Sequence, residues 1–339
     1  MTQEQWETLR AITKGEKAAD HHVGFIIDSP WLPNWSGVSI LDYFSHDEVW
    51  WKANCQAIEQ FPTVMFLPGF WSEYGMCTEP SAFGSRCTFP ANEFPHAHKC
   101  IPNAEVIDSL PQPNPAADGL LPFVLNRLKW AQPRMADIGH QIRFAVARGP
   151  LNIAAYLMGT TEFLTLMMME PDRVKKLLDI ISAFLKEWLD LQINTFSTID
   201  GILLLDDIIG FLGEDQFVTF GLPYFKSLYN VDVSVKFLHN DAPCQVSAPY
   251  LPEMGVNLFN MGFDIDLNTL LELTQHKVTL LGNIPPRDVL ASGTPEDVKS
   301  AVQSQADSLR DKSRVLFSCG GGMPPGVRSE NLKMFVETA

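Results

Sequence analysis

From residue 143 onward, short apolar runs alternate with amphipathic helical stretches, and the connections between them are only a few residues long. Two parallel strands need a crossover between them, usually a helix, so this alternation is the mark of consecutive parallel strand–helix units. Strands are predicted at 143–147, 201–205, 234–238, 257–260, 278–281 and 315–318. Helices are predicted at 161–169, 267–275, 295–311 and 329–336, with short broken ones at 214–229. A longer helix restarts at Glu170-Pro171-Asp172, and Val174, Leu177, Leu178, Ile181, Leu185 and Trp188 give it one apolar stripe.

The ends of these strands carry chemistry. Asp206-Asp207, His239-Asn240-Asp241, Gly282-Asn283 and Cys319-Gly320-Gly321-Gly322 each follow an apolar run. A closed barrel gathers all of them at one mouth, whereas an open sheet spreads them along an edge. The expected fold is therefore α/β, a (β/α)8 TIM barrel with an N-terminal helical and irregular extension. Residues 1–339 are read as one domain and 1–62 as the extension. Within the extension, helices are expected at 2–14, with Trp6, Leu9 and Ile12 near one face, and at 47–60. An irregular Pro/Trp/Gly-rich stretch at 28–37 separates them, and the β-rich run 63–67, closed by Pro68-Gly69, is read as the first barrel strand.

Residues 70–118 have no clear period, yet Trp71, Tyr74, Phe83, Phe89 and Phe94 lie there among three cysteines, two histidines and several prolines. So many aromatics argue against disorder, and the segment is read as a loop or lid over the barrel mouth.

Apolar residues make up 46% of the chain and charged residues 19%, which supports a large core. The net charge of −15 argues against nucleic acid or an anionic membrane as partner. No apolar run approaches the ~20 residues of a membrane span, and the polar N-terminus lacks a signal-peptide core, so a cytoplasmic location is expected. The six cysteines show no CxxC spacing, which leaves them as thiols or metal ligands.

His239 and Cys319 end two different predicted strands and offer imidazole and thiolate, both good zinc ligands. Asp241 is the natural third ligand; Cys244, beyond Pro243, competes with it. The plainer alternative is a hydrogen-bonded histidine and an unrelated buried cysteine. Asp206 and Asp207 are candidate catalytic carboxylates, and since adjacent strand residues face opposite ways, only one can face the barrel axis. The alternative is that one caps a helix while the other is solvated. The glycines after Cys319 let backbone approach a ligand, but no GxxxxGK[ST] loop accompanies them. His96, His98, Cys87 and Cys100 form a looser metal-like cluster, and Met167 to Met169 read as helix packing.

Glu170-Pro171-Asp172-Arg173-Val174, Asp200-Gly201-Ile202 running to Asp206-Asp207, Pro223-Tyr224-Phe225, the strand to His239, Gly282-Asn283-Ile284-Pro285-Pro286 and the late Gly-rich turn occur in one order. In that combination, from about residue 143 to the C-terminus, the chain resembles the uroporphyrinogen decarboxylase superfamily. The resemblance implies a (β/α)8 barrel. The Arg-rich N-terminal segment by which true decarboxylases bind substrate carboxylates has no counterpart here. In the superfamily's corrinoid-dependent methyltransferases, zinc sits on a His-x-Cys and a distal Cys; His239 and Cys319 match, and Asp241 replaces the first Cys. A carboxylate in place of a thiolate makes a harder Lewis acid, better suited to an oxygen ligand than to a thiol. The resemblance therefore implies the demethylating component of anaerobic O-demethylases, which moves a methyl group from a methoxylated aromatic to the cobalamin of a corrinoid protein. Under that reading Zn2+ binds His239, Asp241 and Cys319, and Asp206 or Asp207 orients or protonates the ether oxygen. Trp71, Tyr74, Phe211, Asn240 and Phe263 line the substrate, and the loop over the mouth moves to admit the corrinoid protein.

Overall fold

A computed structural model describes residues 1–17, 22–27 and 30–339. Asp28 and Ser29, where the predicted irregular stretch begins, lie outside the described residues; its later part contains a short helix, Leu32–Ser36.

Eight strands run in one direction: β1 (Gly24–Ile26), β2 (Met65–Leu67), β3 (Phe144–Arg148), β4 (Gly201–Leu205), β5 (Val235–Asn240), β6 (Leu258–Met261), β7 (Thr279–Leu281) and β8 (Val315–Leu316). β1 pairs with β2, and β3 to β8 pair in chain order, every pair parallel. β8 joins β1 through Gly24 N donating to Phe317 O at 3.0 Å and Phe317 N donating to His22 O at 3.0 Å.

Side-chain alternation shows how this ring encloses a core. Ile26, Met65, Phe144, Leu203, Phe237, Leu258, Leu281 and Leu316, one from each strand, are buried in a single inner cluster. Their neighbours along the strands, such as Phe25, Phe66, Ala145, Leu204, Leu238 and Phe259, belong instead to the cluster shared with the surrounding helices. A period of two sorts each strand's side chains between barrel interior and helix layer, as a filled (β/α)8 barrel requires.

Helix α1 (Gln3–Lys14) explains why only one end of the barrel is free. Thr2 starts it with a capping box: its hydroxyl accepts from Gln5 N at 3.2 Å, and the Gln5 side chain accepts from Thr2 N at 3.2 Å. Trp6, Leu9 and Ile12, the face expected from sequence, join the inner cluster. Trp6 packs edge-on against Phe144 at 5.3 Å and donates from Nε1 to Asp200 Oδ2 at 3.3 Å. Both partners lie at the N-terminal ends of their strands, so α1 stoppers that end.

Several elements escaped the sequence reading, among them the helices Ile40–Ser45 and Pro150–Met158. The run at 63–67 is the second strand of the ring, not the first; β1 is only three residues long and too short to show a period. Helix α2 (Leu121–Asp137) carries Pro122 at its start and Pro133 inside, and two prolines conceal a helical pattern. The segment after β2 holds a 3-10 turn (Pro80–Phe83) and a small hairpin pairing Cys87–Thr88 with His96–Ala97. It is pinned down. Glu73 and Glu79 are buried against Arg148, the last residue of β3, at 3.2 and 3.4 Å. Breaking a buried pair leaves a charge uncompensated, so these ion pairs anchor the start of the segment, read from sequence as a loop or lid, to the end of β3.

Trp6→Ala should remove the stopper's largest contact and lower unfolding stability by about 3–5 kcal/mol, measured by urea denaturation. A loss below about 1 kcal/mol would show that α1 rests on the barrel without supporting it.

Candidate metal centre

The inward-facing positions of β4 and β5 build the site. In β4, Leu203 and Leu205 face the barrel interior, and continuing the alternation sends Asp207 inward and Asp206 outward. In β5, Val235 and Phe237 face inward, so His239 does too. Asp241 follows where the chain leaves the strand. The result is a cluster in which one ligand atom from each of Asp207, His239 and Asp241 lies within 4.8 Å of the others. It is the only such group of three among the described residues.

His239 is buried, and its Nδ1 lies 2.8 Å from Asn260 Oδ1 on the neighbouring strand. Asn260 Nδ2 already donates to Leu281 O at 2.6 Å and to Cys319 O at 3.4 Å, which fixes the amide with its oxygen toward the histidine. Nδ1 therefore carries the proton, and the Nε2 lone pair is left for a ligand. The sequence reading missed Asn260; its inward position beside His239 in the strand register is the signal that finds it.

The carboxylates favour a cation. Asp241 N donates to Asp207 Oδ1 at 3.1 Å. Burial pushes the Asp207 carboxyl above its ordinary range, His239 opposes this, and the nearby Asp241 carboxylate adds to it. Two acids and an imidazole lone pair this close offer an oxygen-rich, three-donor set, which fits zinc with a position left for substrate.

Cys319 stands close to this group but outside it. Its thiol is buried and donates to Gly321 O at 3.5 Å. Gly321 has φ +75°, and a Cβ there would lie 3.0 Å from Asp241 Oδ2, so glycine is what lets the turn close against the acid. Cys244, the competing thiol, is buried in the helix layer, and burial together with Asp264 pushes it up to about 12. It lies outside the three-ligand group.

Asp206 turns the other way. Its carboxylate accepts from Leu151 N at 2.9 Å and Asn152 N at 3.1 Å, at the start of helix α3 (Pro150–Met158), and from Ile208 N at 3.2 Å. A Cβ on Gly149 would lie 2.3 Å from Asp206 Oδ2, so glycine makes room for the acid. Burial pushes Asp206 up to about 8 against the pull of these N–H groups. Facing away from the cluster and engaged with backbone, it caps a helix, and its expected catalytic role does not fit this position.

A cavity of about 480 Å3 opens over the cluster, lined by His239, Asp241, Phe263, Arg287 and the Gly320–Pro325 turn, among others. Phe263 is 53% exposed, as a ring waiting for a contact would be. The other aromatic candidates are placed elsewhere: Trp71 lies in the inner core, and Tyr74 packs between Phe44 and Arg127 in the helix layer. Phe211 is 60% exposed and outside the lining of this cavity. Asn240 is fully buried on the outward side of β5, its Oδ1 accepting from Ala242 N at 2.9 Å. His96 and His98 lie 4.8 Å apart with their rings tilted by 56°, without forming a three-ligand group.

Tyr156 sits near Arg148 and the two adjacent acids. Burial raises its phenol, the Arg148 guanidinium opposes this, and Asp207 adds to it. It therefore keeps its proton between the Arg148 ion pairs and the Asp207 cluster. Burial works against the Arg148 charge, but Glu79 and Glu73 outweigh it and hold the guanidinium charged.

A sequence profile described as uroporphyrinogen decarboxylase (URO-D) matches residues 34–339. The chain belongs to that family. Relatives named uroporphyrinogen decarboxylase include one from Mannheimia succiniciproducens, 25% identical over 77% of this chain and 75% of its own. Another, from Chloroherpeton thalassium, is 27% identical over 76% and 74%. Among solved structures, a methyltransferase from Methanosarcina mazei superposes with a TM-score of 0.81 at 17% identity, covering 98% of this chain and 96% of its own. A B12-independent methionine synthase from Shewanella sp. W3-18-1 gives 0.52 at 11% identity over 86% and 87%. At these identities the structures show a shared barrel fold. In this family member, as in the sequence reading, no helix among the described residues is long and apolar enough to cross a membrane.

Asp206→Ala should orphan three backbone N–H groups and cost about 1–3 kcal/mol of stability by denaturant unfolding. Metal content should stay unchanged. Loss of metal with stability intact would instead return Asp206 to the site.

Proposed function

We propose that this URO-D family protein is a zinc-dependent methyltransferase that moves a methyl group from an aryl methyl ether to the cob(I)alamin of a separate corrinoid protein. The observation that carries the reading is the Asp207–His239–Asp241 cluster, of which His239 and Asp241 line a cavity that Phe263 also lines. His239, Asp241 and Asp207 would hold the ion, with Cys319 supporting it from the adjoining turn. Bound there, zinc supplies a Lewis acid to the ether oxygen, where charge develops as the methyl group leaves.

The chain's own residues complete the chemistry. Phe263 offers an exposed ring face for the substrate ring. Asn260 holds His239 with Nε2 toward the ligand position. The M. mazei barrel, named a methyltransferase, supports the reaction class. Donors rich in oxygen support an ether rather than a thiol.

Decarboxylation, the activity in the relatives' names, is disfavoured by the charge of the mouth. Asp207 and Asp241 repel a multiply anionic tetrapyrrole, and Arg148 is already neutralised by Glu73 and Glu79.

Purified wild type should contain about one zinc per chain, and Asp207→Ala, His239→Ala and Asp241→Ala should lose it, measured by elemental analysis. Cys319→Ala and Asn260→Ala should weaken zinc by about 10–100-fold without abolishing binding. Zinc-free wild type after zinc-supplemented expression would sink the Lewis-acid reading, and methyl transfer surviving rigorous chelation would do so independently.

A further inference from the structure

The segment after β2 carries three thiols, Cys77, Cys87 and Cys100, that stand outside the metal centre. Cys77 is fully buried, whereas Cys87, at the start of the hairpin, is half-buried. These two are in contact. The Cys77 S–H donates to Cys87 Sγ, and Thr88 N donates to Cys77 Sγ. Cys87 Sγ donates in turn to Ser85 O at 3.6 Å. Cys100 is engaged separately, accepting from Ser85 Oγ at 3.3 Å and donating to Phe83 O at 3.6 Å. None of the three is in a disulfide.

The contact makes the two sulfurs unequal. The hydrogen bond from Cys77 pulls the Cys87 thiol below its ordinary value, and partial burial opposes this. The same bond, with burial adding to it, pushes Cys77 far up. Cys55 is also half-buried, yet burial and Glu59 push it up to about 11, so exposure alone does not ready a thiol here. The thiolate is the form that attacks an oxidant, which makes Cys87 the attacking sulfur and Cys77 its neighbour in waiting.

We propose that Cys77 and Cys87 form an oxidative modification site, a dithiol that hydrogen peroxide converts to a disulfide. The Cys87 thiolate takes one oxygen as the O–O bond breaks, giving a sulfenic acid and a hydroxide that is protonated to water. The Cys77 sulfur, losing its proton, then attacks Cys87 Sγ and displaces the sulfenic hydroxyl as a second water. Two thiols lose two electrons and two protons, and one peroxide becomes two waters. The new bond closes the stretch 77–87, which includes Glu79. It ties the hairpin covalently to the part of the segment that Arg148 already holds by charge.

The test is a thiol count on the reduced full chain after one equivalent of hydrogen peroxide under native conditions. Wild type should lose two of its six thiols and regain both with a dithiol reductant. Trypsin cuts after Arg86 and Lys99, which puts Cys77, Cys87 and Cys100 on separate peptides. Mass spectrometry without reduction should find the Cys87 peptide joined to the one holding Cys77, with fragmentation placing the link at Cys77 and not at Cys55. Cys87→Ser should keep all its remaining thiols, and Cys100→Ser should still lose two; both substitutions fall at half-buried positions and spare the buried Cys77. A wild type that keeps six thiols overturns the proposal, as does a link from Cys87 to Cys100 or to a second chain. Loss of a single thiol, or loss that persists in Cys87→Ser, overturns it too.

Discussion

The hydrogen bond between His239 Nδ1 and Asn260 Oδ1, 2.8 Å long, joins two neighbouring strands just where the barrel core gives way to its mouth. It works only because both residues face inward, and both face inward only because the ring is closed and every strand alternates. Below this layer the interior is filled with aliphatic and aromatic side chains and stoppered by α1. Above it the chain turns polar at once. A buried imidazole would otherwise be free to choose its tautomer; here the amide chooses for it, and the amide is itself held by two backbone carbonyls. Orientation passes from backbone to amide to imidazole, and then to whatever binds Nε2.

Charge at the mouth is divided into two assemblies. One is internally satisfied: Arg148 with Glu73 and Glu79, buried, ties the wall after β2 to the end of β3. The other is unsatisfied: Asp207 and Asp241 crowd each other beside a histidine lone pair, and burial deepens the conflict. Tyr156 senses both. Like charges left together beside a histidine lone pair make a group that could hold a cation.

The adjacent acids at the end of β4 show how little distance in sequence separates a site residue from a structural one. Asp207 faces the barrel axis; Asp206 faces the helices and caps α3. Their side chains belong to different layers, and each layer gives its carboxylate different work. Membership of the URO-D family and a barrel superposable on a methyltransferase are compatible with several reactions, because one fold hosts many chemistries.

The strand–helix alternation from residue 143, the polar strand ends and the amphipathic face of α1 were legible in the chain, because side-chain periodicity is a local property that follows from backbone geometry. So was the rule that only one of Asp206 and Asp207 can face inward. Which of the two does so depends on strand register and ring closure, and those are set by contacts between residues far apart in sequence. The same is true of Asn260, an ordinary residue in sequence that matters only through the histidine it meets. β1 was invisible because three residues carry no period, and α2 because its prolines hide one. Periodicity is written along the chain; the meeting of side chains across a barrel is decided only when the ring closes.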